Sequence, residues 1–82
     1  MKVGDIVAPI LKKFINKEQW AGALLEVVWT GEFGFNGKVK GMCPLFKHRK
    51  YEMGEIVHNW SLDMWQVVDN INTPEKSYED ML

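Results

Sequence analysis

Apolar and polar residues alternate with a period of two along much of this chain, most clearly in Ala23-Leu24-Leu25-Glu26-Val27-Val28-Trp29-Thr30. Leu25, Val27 and Trp29 fall on one face there and Glu26 and Thr30 on the other, which is the pattern of a half-buried strand. Gly31 to Gly37 follows, and its Asn36-Gly37 pair predicts a type I′ hairpin tip, because both central positions of that turn need positive φ. Lys38 to Phe46 then sets Val39, Gly41, Cys43 and Leu45 against Lys38, Lys40 and Met42, a third strand that Pro44 bends or ends. A polar basic tip, Lys47-His48-Arg49-Lys50, leads through Tyr51 to Gly54 into a fourth strand, Glu55 to Trp60, with Ile56, His58 and Trp60 on one face.

The two ends of the pattern are less regular. Val3 to Ala8 predicts a short first strand with a turn or bulge at Gly4 and a stop at Pro9. In Ile10 to Trp20, Leu11, Phe14 and Ile15 recur at helical spacing with Lys12, Lys13, Lys17 and Glu18 between them. So short a helix does not stand alone, so this stretch is expected to be a long loop carrying a helical turn over one mouth of a barrel. Ser61-Leu62-Asp63-Met64 predicts one 3₁₀ turn capped by Ser61, before a last strand from Trp65 to Val68. From Asp69 onward the chain is polar apart from Ile71, Tyr78, Met81 and Leu82. Residues 1–69 are thus expected to form one mainly β barrel of five strands, and 70–82 a tail that is loose or docked on a partner.

Composition narrows the picture. Eighty-two residues hold one core, to which four Trp, four Phe and two Tyr contribute most of the bulk. A net charge of −1 removes the global argument for nucleic acid and leaves a local basic patch as its remaining route. One cysteine, Cys43, forms no intramolecular disulfide, which points to the cytoplasm or to a particle assembled there. The opening Met1-Lys2-Val3-Gly4-Asp5 is not that of a secretory signal, and no run approaches a membrane span.

The Met1-Lys2-Val3-Gly4-Asp5-Ile6-Val7 opening, the long first loop, the hairpin-linked strands, and the single turn and short strand over Leu62 to Val68 together resemble the SH3-like β-barrels. Within them the chain is similar to small barrel proteins of unassigned function from tailed bacteriophages. The likeness spans about the first seventy residues and implies a five-stranded SH3-like barrel. The acidic first loop and adjacent tyrosine pair of the peptide-binding SH3 domains are absent between Pro9 and Trp20, so the resemblance does not carry proline-rich ligands with it.

Candidate chemistry is sparse. His48 and His58 stand ten residues apart and Cys43 is alone, so no pair has the spacing of a zinc site, and His58 is expected to be a half-buried strand residue. Cys43, His58 and Asp63 could be assembled into a nucleophilic trio, but any small protein offers one, and Cys43 reads as a core residue. The glycines lack the strand-to-helix context of a phosphate loop. The expectation is therefore no enzyme, no cofactor and no metal, with no small-molecule substrate.

Two constellations remain. Surplus apolar residues, namely Ile10, Leu11, Phe14, Ile15 and Trp20, then Phe33 and Phe35, then Tyr78, Met81 and Leu82, point to a protein partner or a homo-oligomer unless the first-loop set plugs the barrel mouth. Lys38, Lys40, Lys47, Arg49, Lys50 and Tyr51, with Phe33 and Phe35, form the alternative, a nucleic-acid-binding accessory protein built on the basic loop 47–51.

Overall fold

The structure is a computed structural model and describes residues 1–70; the expectation of a loose or docked tail lies, past Asn70, outside the described residues. Five strands, β1 (Asp5–Pro9), β2 (Leu24–Thr30), β3 (Gly34–Gly41), β4 (Ile56–Ser61) and β5 (Trp65–Asn70), form one antiparallel sheet in the order β4-β3-β2-β1-β5. Two short helices, α1 (Lys17–Trp20) and α2 (Pro44–His48), and 3₁₀ turns at Leu11–Lys13 and Leu62–Met64 complete the fold. No helix among the described residues is long and apolar enough to cross a membrane.

β1 starts later than its apolar run because Val3-Gly4 is a turn. Gly4 has φ +96°, and the Lys2 N–H donates to the buried Asp5 carboxylate at 2.7 Å. Pro9 does not stop the strand but ends it from within, opposite Trp65. The first loop does not present one helical face. It breaks into the 3₁₀ turn and α1, which turns Phe14 and Trp20 inward and leaves Ile15 97% exposed.

The expected hairpin tip at Asn36-Gly37 is overturned. These residues lie inside β3, and the chain reverses over residues 31–33, where the Gly31 N–H donates to the Gly34 carbonyl at 2.8 Å. The observed register puts Phe35, Gly37 and Val39 on the buried face. Burying one Phe is worth about 1.5–3 kcal/mol, more than the local preference of Asn-Gly for a tight turn. Gly37 serves packing: a Cβ there would stand 2.8 Å from the Leu25 Cβ.

The third strand ends at Gly41 rather than Phe46. Pro44 is the first residue of α2, where its missing N–H costs nothing, and the basic tip is the end of that helix followed by a turn at Arg49 and Lys50. In β4 the expected face of Ile56, His58 and Trp60 is broken. One residue of β3, Asn36, faces two of β4, His58 and Asn59, and Asn59 has φ +66° with its N–H donating to Asn36 Oδ1 at 3.1 Å. This bulge puts Val57 and Trp60 inside and leaves Ile56 and His58 exposed, so His58 is not half-buried. Ser61 precedes the second 3₁₀ turn but makes no side-chain cap bond.

All five strands feed one core with α2, in which Val7, Leu25, Val27, Phe35, Val39 and Phe46 are fully buried. Around them seven rings form a connected aromatic cluster. Trp20 is its hub, with Phe14, Phe46, Trp60 and Trp65 at 4.6, 6.3, 5.5 and 5.9 Å, and Phe35 and Tyr51 join through Trp65 and Phe46. Most of these pairs are edge-to-face, an arrangement that adds about 0.5–1.5 kcal/mol per pair beyond area burial.

Candidate functional site

Two described aromatic rings stand outside that cluster, Trp29 and Phe33, and both are at the β2–β3 hairpin. The alternation of β2 places Trp29 with Leu25 and Val27, but the register slips between Val27 and Trp29, so that Val27 pairs with Gly37 and Trp29 with Asn36. The extra residue, Val28, reverses the faces, and Trp29 turns outward to 56% exposure. Phe33, on the reversal itself, is 82% exposed.

The hairpin is shaped to hold these rings beside β4. A Cβ on Gly31 would come within 2.5 Å of Trp29 Cη2, so the indole lies across that glycine, and one on Gly34 would come within 2.8 Å of the Trp60 carbonyl. The close approach leaves an open groove of about 440 Å³ between Trp29, Phe33 and Trp60, with Glu32, Asn59 and Ser61 as its polar margin. Large exposed rings with hydrogen-bonding groups at the edge are what an interface centre is made of.

The structure divides the residues that the sequence nominates for binding. Phe33 is in the hairpin groove, whereas Phe35 is fully buried and offers no free ring face. Lys38 and Lys40 sit on the outward face of β3 near Glu26, whose carboxylate pairs with Lys40 at 3.3 Å. Arg49 and Tyr51 line a separate pocket with Trp20 and Trp60, next to exposed Lys47 and Lys50. Phe33 and the segment holding the last four thus line different pockets. Trp60 alone lines both pockets.

Sequence reasoning missed Trp29 and Asn59 as surface features, and Trp60 as the ring shared by both pockets. The first depends on a bulge that no local signal announces, and the other two on the bulge at Asn59. Cys43 is sealed in the core while His58 and Asp63 are exposed, so the nucleophilic trio shares no site. Among the described residues no group of three His, Cys, Asp or Glu side chains is placed to hold a metal ion. Comparison of the chain with protein-family models, with curated proteins and with solved structures returned no match.

Proposed function

We propose that this chain is a non-enzymatic protein-interaction module built on an SH3-like β-barrel, of the type met in small proteins of tailed bacteriophages. It acts in the cytoplasm or in a particle assembled there. Support for the barrel comes from the strand order, in which β5 returns beside β1, and from the supply of core residues by every strand, since two helices of four and five residues cannot cover a flat sheet. Support for the function comes from one observation: the two described aromatic rings left out of the core cluster converge on one groove. Exposing a Trp and a Phe forgoes about 1.5–3 kcal/mol of burial for each ring, which a partner segment seated between them would recover.

The groove suits a short segment of another protein, or of a second copy, that brings an apolar anchor to Trp29 and Phe33 and main-chain groups to Asn59 and Ser61. Panning a random peptide library on the full chain, together with sedimentation equilibrium of the chain alone, tests this. Enriched peptides, or self-association, should be weakened about thirtyfold by Trp29→Ala, the size of an interface hot spot. A monomer that enriches no peptide, or binding indifferent to both Trp29→Ala and Phe33→Ala, would overturn the proposal.

A further inference from the structure

The net charge conceals how the charges are distributed. Residues 10–20 and 44–51 pack against each other through α1 and α2, with Trp20 edge-on to Phe46 at 6.3 Å. Together they carry Lys12, Lys13, Lys17, Lys47, Arg49 and Lys50 against one carboxylate, Glu18, a net of +5. The remaining described residues carry three cations, Lys2, Lys38 and Lys40, against seven carboxylates, a net of −4. Lys40 pairs with Glu26, and among the described residues no salt bridge joins any of the six clustered cations to a carboxylate. Lys13 is held at 2.9 Å by the Asp63 carbonyl. A field of this kind concentrates polyanions at one end of the molecule.

That end also contains a pocket of about 200 Å³ lined by Trp20, Phe46, Tyr51 and Trp60 together with Leu45 and the exposed Arg49. The rings are held by their neighbours, Tyr51 at 79° to Phe46 and Trp60 at 85° to Trp20, so their orientation exists before any ligand arrives. Arg49 and Tyr51 bring polar groups to the pocket's lining, and the Nε1 of Trp60, another lining residue, is buried with no acceptor among the described residues. No carboxylate lines it.

Each feature selects against a class of ligand. Arg49 repels a cation, which the aromatic walls alone would welcome. An apolar side chain would fill the space between the rings and make no use of the guanidinium beside them. A sulfated sugar or an anionic lipid surface would use the lysines and ignore the rings. A duplex keeps its bases stacked on one another and has none to offer the pocket. We propose that the α1–α2 face binds single-stranded nucleic acid, with one unstacked base in the Trp20–Tyr51–Trp60 pocket and the flanking phosphates on Lys17, Lys47, Arg49 and Lys50. This site is separate from the hairpin groove except for Trp60 and does not depend on what that groove holds.

Fluorescence anisotropy of labelled oligothymidylate of about twelve nucleotides, titrated with the full chain at about 20 mM and about 150 mM salt, tests it. Micromolar affinity is expected at low salt, falling with a log–log slope of about −2 to −3 for three or four phosphate contacts on a single strand. A duplex of the same length, and an abasic strand of the same charge, should each bind about tenfold more weakly. Tyr51→Ala should match the abasic strand and leave the slope unchanged, whereas Lys47→Ala with Lys50→Ala should flatten it. The abasic comparison uses the unaltered protein, so it stands even where a variant misfolds. Absence of binding at low salt, equal affinity for normal and abasic strands, or pelleting with phosphatidylserine vesicles in place of strand binding would overturn the inference.

Discussion

Gly37 shows how one residue carries two meanings. As part of Asn36-Gly37 it marks a turn, yet in the folded chain it is a buried strand position facing Leu25, with no positive φ. The two meanings predict different outcomes for Gly37→Ala. In a hairpin tip the change would strain the backbone; in this register it drives a methyl group into the fully buried Leu25, and overpacking of that kind costs about 1–3 kcal/mol. Urea unfolding followed by tryptophan fluorescence should show the midpoint falling with an unchanged slope. Trp29 teaches the complementary lesson. Its residue type and its place in an alternating run both assign it to the core, and a single extra residue, Val28, sends it to the surface.

Among the elements, the parts legible in the sequence are those where periodicity and flanking residues agree: β2, β4 and β5 lie close to their expected positions, as does the 3₁₀ turn before the last strand. The part that was not legible is the stretch from Phe33 to Lys50. Its reversal is set by how much of Phe35 and Val39 can be buried, and its helix α2 is too short for a helical period to register. The first loop lies between these cases. Its apolar residues pointed equally to a plug and to a free surface, and the structure divides them, Phe14 and Trp20 packing inward while Ile15 stays in solvent. Because Trp20 touches four rings from β4, β5, α2 and the loop itself, it is the joint that fastens the loop to the sheet. Trp20→Ala should cost about 3–5 kcal/mol and collapse the near-ultraviolet dichroism of the cluster. Ile15→Ala, in the same loop, should change stability by less than about 0.5 kcal/mol.

At the scale of the whole molecule, bulk charge proved to be a poor guide, because a sum of −1 is compatible with an even scatter and with the +5 and −4 parts of residues 1–70, to which residues 71–82 add −2. The lysines of the first loop and those near α2 are about thirty residues apart in the chain, and it is the packing of α1 on α2 that makes them one surface. The same topology fixes a second long-range relation. β5 runs beside β1 from Pro9 opposite Trp65 to Asp5 opposite Asn70, so the first residue of β1 and the last of β5 are one strand spacing apart, about 4.8 Å. The segment from Asp5 to Asn70 is therefore a loop of chain whose ends are already side by side, and it can be cut and rejoined elsewhere. A circular permutant joined across Asp5 and Asn70 through a short glycine-serine linker and opened at the exposed Met53-Gly54 turn keeps all four strand pairings, and its near-ultraviolet spectrum should match that of the parent. By the same geometry the segment from Asp5 to Asn70 can be inserted into a surface loop of a larger host protein at a single point of attachment.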